Sequence, residues 1–264
     1  MKLFVFGGNR FMGKLLVKEL IKLGFRDVTL FNRSGTGPSG TNIIQGDRNN
    51  PKDIKKINFK EYDYIFDMCL FKPKQYKLIE KYLIRSNLKK YIFMSSAAVG
   101  NSDFGKYSLE KEQVENLIKK SNLNYTILRP VYVVGEGSHR PRLGYFINQI
   151  LNKKPISIEG NGESLINLVH VSDVVKLIKS SMSKYDNETV IISNGENLSI
   201  KDIIFNISKF LNNPSYSITT NGESPFINTE FIFNKTHDDF KQLKDILPNY
   251  YKWLKTKGNE QYGY

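Results

Sequence analysis

Residues 2–24 read KLFVFGGNRFMGKLLVKELIKLG. The first five residues, aromatic and branched, suit a strand buried on both faces. Two glycines end that run. From Met12 the apolar residues recur at helical spacing as far as Leu23. Strand, glycine turn and helix in this order form a phosphate site. Gly7 permits the tight turn, and Gly13 lets the helix approach the strand. The helix N-terminus turns unpaired N–H groups and a favourable dipole toward a pyrophosphate.

Outward from this stretch the chain keeps the same rhythm. Residues 27–31, 42–45, 63–68, 90–94 and 125–128 read as strands, and helices are expected near 74–86 and 107–120. Near-continuous apolar strands alternating with helices imply a parallel sheet covered on both faces. The fold class is therefore α/β, a doubly wound parallel (Rossmann) sheet. Beyond residue 150 the pattern loosens into helices over 142–152, 171–184 and 200–211 and strands over 156–158 and 189–192. This predicts a dinucleotide-binding domain over 1–150, which also receives later segments near 165–195. A smaller α+β substrate portion occupies most of 151–264, and Trp253 with the aromatic-rich tail closes it.

The 264 residues carry 39 basic and 26 acidic side chains, a net charge of +13. Residues 1–150 hold 26 basic and 13 acidic residues; the rest hold 13 of each, so the whole excess lies in the first part. A nucleic-acid surface, a site for several phosphates, or a solvated lysine-rich face would each account for it. From Arg48 to Lys90 the basic residues stand singly or in pairs, without an arginine-rich run or interleaved aromatics, which argues against nucleic acid. No apolar run approaches the roughly 20 residues that cross a bilayer. MKLFVF is too short for the core of an export signal. The single cysteine, Cys69, and histidines at 139, 170 and 237 permit neither an internal disulfide nor a recognisable metal set. A reducing, cytoplasmic setting is expected.

Strand two ends in Phe31-Asn32-Arg33, without the acid that would bind the 2′-hydroxyl of NAD. Arg33 and Arg10 favour a 2′-phosphate instead, so NADP is preferred to NAD. Asp47, in Gly46-Asp47-Arg48, is placed to accept from the adenine amino group. Tyr107 and Lys111, four apart, share one helix face. A cation beside a phenol lowers its pKa from about 10 and makes it an acid/base near neutrality. Ser95 and Ser96 end the preceding strand, where sheet ligands bind. Arg140 and Arg142 suit a diphosphate. His170, in LVHVSD, reads as a packing or hydrogen-bonding histidine rather than a catalyst.

GGNRFMG, GDR, SSAAV, YSLEK, LRPVYVVGEG, NLVHVSDVV and ISNGENLSIKDI, in that order, resemble the short-chain dehydrogenase/reductase superfamily and, within it, the extended and atypical NAD(P)-dependent epimerase/dehydratase group. The resemblance covers about residues 1–211. It implies that Tyr107 is the acid/base, Lys111 binds the nicotinamide ribose, and Ser96 holds the reacting oxygen. Gly7, Asn9, Arg10, Phe11, Met12 and Gly13 would hold the pyrophosphate. Asn32 and Arg33 would lie at the ribose or its phosphate, with Asp47 and Arg48 at the adenine end. Met68, Cys69, Leu70, Ser95 and Pro130 would line the cofactor. Ser96, Tyr132, Arg140 and Arg142 would meet the substrate, a nucleotide sugar. A homodimer through two helices per subunit is also implied.

The chain departs from that pattern in several places. Arg10 occupies the middle glycine position. Only eleven positions separate Ser96 from Tyr107, so the substrate flap is short. Tyr132 stands where the group has a substrate asparagine. The glycine-motif arginine, FNRSG and GDR also resemble a divergent branch that includes chloroplast stem-loop RNA-binding proteins, whose members often lack the Tyr–Lys pair. This chain keeps the pair, which favours catalysis. Two alternatives stay open: an NADPH-linked reductase of a small carbonyl compound, and a non-catalytic nucleotide-sensing or RNA-binding protein.

Overall fold

The apolar runs become strands of one parallel sheet in the computed structural model, which describes residues 1–213, 215–220 and 222–262. Its strands are β1 (Lys2–Phe6), β2 (Asp27–Asn32), β3 (Asn42–Gln45), β4 (Tyr64–Asp67), β5 (Lys90–Met94), β6 (Tyr125–Pro130) and, from much later in the chain, β11 (Glu188–Ile192). They lie in the order β11-β6-β5-β4-β1-β2-β3, every pair parallel. Leu3, Phe4, Val5 and Phe6 are all fully buried, because helices cover both faces. The polar ends Asn42 and Gln45 suit β3 to the edge, where one side lacks a strand.

Helix α1 (Phe11–Lys22) buries Gly13, Leu16, Val17 and Leu20, a stripe at three- and four-residue spacing. The short α2 (Pro51–Ile54) is capped by Asn50, whose Oδ1 accepts from Lys52 N at 3.0 Å. In α3 (Pro73–Ile84) a proline stands in the first turn, where its missing N–H costs nothing, and Tyr76, Ile79 and Leu83 are buried. Helix α4 is Gly105–Lys119. A cluster of rings fills one side of the sheet, with Phe4 4.9 Å from Phe6 and 4.7 Å from Tyr62.

Two compact units divide the chain: Met1–Pro130 with Val174–Ile192, and Val131–Asp173 with Ser193–Tyr264. The first break thus falls at Pro130, whereas the sequence pattern put it near 150. In the second unit β7 (Tyr132–Val134) pairs in parallel with β10 (Leu168–His170). β8 (Ile156–Ile158) pairs with β13 (Ile218–Thr220), and β9 (Leu165–Ile166) runs antiparallel to β12 (Leu198–Ser199). Helix α5 (Arg142–Leu151) lies in this unit, as do α7 (Ile200–Phe210) and α8 (Leu243–Trp253). Helix α6 (Val171–Ser180) ends four residues short of its expected end. At the start of α7, Ser199 Oγ accepts from Asp202 N (3.0 Å) while Asp202 Oδ2 accepts from Ser199 N (2.9 Å). Trp253 packs on Tyr250 and Tyr262 at 5.5 and 5.9 Å between ring centroids. Among the described residues, no helix is long and apolar enough to cross a membrane.

Candidate functional site

β1 and β4 are neighbours, and their following connections leave in opposite directions along the sheet: β2 and β3 lie on one side, β5 and β6 on the other. Such a switch point opens a crevice at the carboxyl ends of the strands. The glycine turn lies there. Gly7 has φ +81°, which only glycine adopts without strain. A methyl group on Gly13 would lie 2.1 Å from the Gly7 carbonyl oxygen, so the helix can start this close to β1 only with glycine. Arg10 is the exposed residue preceding α1, and Phe11 begins the helix at φ +38°. Asn9 ties this turn to the loop after β2, its Nδ2 donating to Ser34 Oγ and Thr36 Oγ1, both at 2.9 Å.

Asn32 shapes that second loop. Its Oδ1 accepts from Gly35 N and Ser34 Oγ at 2.9 Å, and its Nδ2 donates to Thr36 O at 2.9 Å. The side chain is thus occupied in bending the loop, while Arg33 points outward beside it, exposed. Arg33, Gln45, Gly46, Asp47, Asp53 and Lys56 line an open depression. The Asn49 backbone N–H, 2.9 Å from Asp47 Oδ1, keeps the Asp47 carboxyl below its usual range, and Arg33 adds to that.

Arg48, expected at the adenine end, is drawn inward. Its Nη1 and Nη2 donate to the two oxygens of Asp67 at 2.7 and 2.9 Å, and its guanidinium lies 4.9 Å from the Phe6 ring centre. Tyr91 Oη also donates to Asp67, at 2.7 Å. Asp67 is fully buried at the end of β4. Cys69 follows, with Arg48 Nη1 3.3 Å from its Sγ; burial pushes its thiol pKa up. Asp67 carried no signal in the sequence beyond being an acid inside an apolar run. Met68 N donates to Phe6 O at 3.1 Å and Leu70 is buried, so the 68–70 segment is fixed beside β1.

At the end of β5 the two serines part. Ser95 Oγ donates to buried Glu115 of α4 at 2.5 Å, and Arg129 grips the same carboxylate at 2.8 and 2.6 Å. Ser96, half-buried, accepts from Ala98 N at 3.2 Å. Lys111 is buried, and its ammonium donates to Leu70 O and Met94 O, each at 2.8 Å. Burial outweighs the pull of Asp67 and lowers its pKa to about 7. Tyr107, one helical turn earlier, is 41 % exposed. Phe71 connects the two: its ring lies 6.5 Å from that of Tyr107 and 4.8 Å from Lys111 Nζ. Buried Pro130 closes β6, and its carbonyl accepts from Ala97 N at 3.0 Å.

The remaining candidates belong to the second unit. Tyr132 is buried against Phe226 and Phe231, and its Oη accepts from Ile227 N at 3.3 Å. Arg142 donates to Pro225 O at 2.8 Å, with Tyr132 and Phe226 beside its guanidinium at 4.6 and 5.3 Å. It therefore stitches this unit together, whereas Arg140 is exposed. His170 holds a polar network: its Nε2 lies 3.0 Å from Glu136 and its Nδ1 2.7 Å from Ser172. Burial opposes ionisation of Glu136, but the His170 contact prevails and leaves its carboxyl below the usual range.

Comparison with known proteins agrees with this geometry. The chain is 27 % identical over 203 residues to the chloroplast stem-loop binding protein of 41 kDa b of Arabidopsis thaliana, covering 66 % of this chain and 53 % of that one. It is 26 % identical over 134 residues to CDP-abequose synthase of Yersinia pseudotuberculosis, covering 48 % and 47 %. The chain thus spans about half the length of the curated relatives it matches. The structure of UDP-glucose 4-epimerase of Thermotoga maritima, determined with UDP-glucose, superposes with a TM-score of 0.80 over 97 % of this chain and 99 % of the other, at 17 % identity, which establishes a common fold. A family model described as NAD(P)H-binding matches residues 7–156, from the glycine turn onward. The chain belongs to the NAD(P)H-binding family.

Proposed function

We propose that this protein is an NAD(P)-dependent oxidoreductase of the epimerase/dehydratase type, acting at a hydroxyl or keto carbon of a nucleotide sugar. One observation carries the reading. The glycine turn whose close approach a Cβ would block belongs to the same compact unit as Ser96, Tyr107 and Lys111, and Phe71 touches both of the latter two. The residues fit a dinucleotide: Gly7 and Gly13 leave room for a pyrophosphate at the start of α1, and the 68–70 segment borders the same strand ends. The group, when bound, supplies the hydride acceptor or donor.

The chain's own part is proton handling. Tyr107 takes the proton from the substrate hydroxyl. Ser96, whose oxygen already accepts from Ala98 N, keeps its own proton to donate to that same substrate oxygen. Lys111, when protonated, places a positive charge on the side of α4 that Phe71 shares with Tyr107, which favours the phenolate. The names of the Yersinia synthase and the Thermotoga epimerase support a nucleotide sugar as the substrate class. Arg33 and Arg10, both exposed beside a β2 end that lacks an acid, support NADP over NAD.

The test pairs wild type with Tyr107→Phe. With UDP- and CDP-sugars and either nicotinamide dinucleotide, the variant should lose turnover by about a thousandfold while binding the dinucleotide as before. Equal turnover in both proteins would remove Tyr107 from the mechanism.

A further inference from the structure

Helix α3 carries its positive charges on one side. Lys74, Lys77, Lys81 and the capping residue Arg85 follow at three- and four-residue spacing. At 3.6 residues per turn they fall within an arc of about 80° and extend along about 16 Å of the axis. All four are exposed, and among the described residues none forms an ion pair. Elsewhere lysines do find carboxylates: Lys2 has Asp27 and Glu61, Lys89 has Asp63, and Lys179 has Glu19. The one acid of α3, Glu80, is turned about 100° from the centre of the stripe. Helix α2 packs against α3 and adds exposed Lys52 and Lys55.

This arrangement works against the helix that bears it. Like charges three and four apart are mutually destabilising. Lys74 also lies in a first turn that contains no acid, where the helix dipole disfavours a cation. Lys81, in the last turn, is favoured by the dipole and lies 5.1 Å from the Tyr82 ring centre, but among the described residues no carboxylate pairs with any of the four, which leaves the stripe complementary to an anion outside the unit. Tyr76, Ile79 and Leu83 are fully buried, and the one exposed aliphatic residue of α3 that is large, Ile84 at its end, is too little apolar surface to insert into a lipid layer. What remains is a row of flexible cations about 5–6 Å apart along the axis, matched to regularly spaced phosphates.

We infer that the exposed side of α2 and α3 binds the phosphate backbone of a nucleic-acid strand. In sequence these cations stand singly or in pairs; the helix gathers them into a row. Lysines read phosphate charge and neither base nor sugar, so binding is independent of sequence and accepts RNA and DNA alike. None of these cations belongs to the glycine turn, and the binding does not depend on dinucleotide chemistry.

The test uses fluorescence anisotropy of the whole chain with a labelled single-stranded RNA of about 30 nucleotides and the matching DNA, from about 50 to 200 mM salt. A stripe variant carries Lys74→Gln, Lys77→Gln, Lys81→Gln and Arg85→Gln. A control with the same change of charge carries Lys153→Gln, Lys154→Gln, Lys209→Gln and Lys252→Gln, all exposed in the second unit. Wild type should bind both strands with a steep salt dependence. The stripe variant should bind about thirtyfold more weakly at low salt, with a log–log salt slope shallower by about 3, and should melt no lower than wild type. The control should stay within about threefold of wild type. Equal losses in the two variants would reduce the effect to net charge and overturn the inference. So would no binding by wild type at about 50 mM salt, or binding to vesicles containing phosphatidylserine without binding to RNA.

Discussion

The Lys111 ammonium lies 2.8 Å from the Met94 carbonyl oxygen, and its second acceptor is Leu70 O at the same distance. One lysine of α4 thereby joins the ends of β4 and β5. It forms no ion pair among the described residues, and burial brings its pKa down to about 7. The unfolded chain keeps this lysine protonated to about pH 10, so between pH 7 and 10 the unfolded state binds more protons than the folded one. Stability from this group therefore rises with pH across that window, by at most about 1.4 kcal/mol per pH unit, and its full cost is felt at and below pH 7. Lys111→Met should remove that slope. Urea unfolding of both proteins from pH 7 to 9.5 checks it; parallel curves would mean that Lys111 is not the titrating group.

Gly13→Ala places a methyl group against the Gly7 carbonyl oxygen, which is backbone and cannot swing aside. The start of α1 must move away from β1. We expect a loss of about 1–3 kcal/mol in stability and at least a tenfold weaker dinucleotide affinity. Thermal melting and NADPH fluorescence titration measure the two effects. Unchanged binding would detach the glycine turn from the cofactor.

Arg33 is exposed next to Asn32, whose side chain makes three hydrogen bonds within its own loop. On the proposed reading, discrimination at the ribose falls to the arginine. Arg33→Asp should weaken NADPH binding by about tenfold to a hundredfold and leave NADH binding equal or better. The ratio of the two dissociation constants is the readout, and an unaltered ratio would assign the preference elsewhere.

Asp67 is fully buried and receives Arg48 through two hydrogen bonds and Tyr91 through a third. Asp67→Asn leaves the Arg48 charge uncompensated in the interior and should cost about 3–5 kcal/mol. Arg48→Met combined with Asp67→Leu removes both charges and should recover most of that loss. A double-mutant cycle of Arg48→Met, Asp67→Leu and the two combined, by chemical denaturation, yields the coupling; additive losses would mean that the pair acts independently.

What the sequence made legible was local. The glycine turn, the strand–helix alternation and the bare end of β2 depend on neighbours in the chain, and periodicity reports neighbours. Arg48 shows where this stops. It reads as a loop arginine beside a nucleotide, yet it turns into the core because an acid nineteen residues later ends β4 beneath it. Ser95 similarly finds Glu115, twenty residues on. The two- and three-residue strands β7, β9, β10, β12 and β13 are too short to carry a period, and their pairing brings together segments up to 62 positions apart.

The last strand of the parallel sheet has a consequence for how the molecule is made. β11 joins the sheet beside β6 after more than forty intervening residues that belong to the other unit. Lys90, at the start of β5, donates to Ser181 O and Lys184 O at 2.9 and 2.8 Å, so its ammonium is sealed by the same late stretch. As the chain leaves the ribosome, six strands can assemble while β6 still offers an open edge and Lys90 still faces water. The first unit is therefore finished only after residues 131–173 of its companion have already been synthesised, and it can close while the companion still waits for the stretch that begins at Ser193.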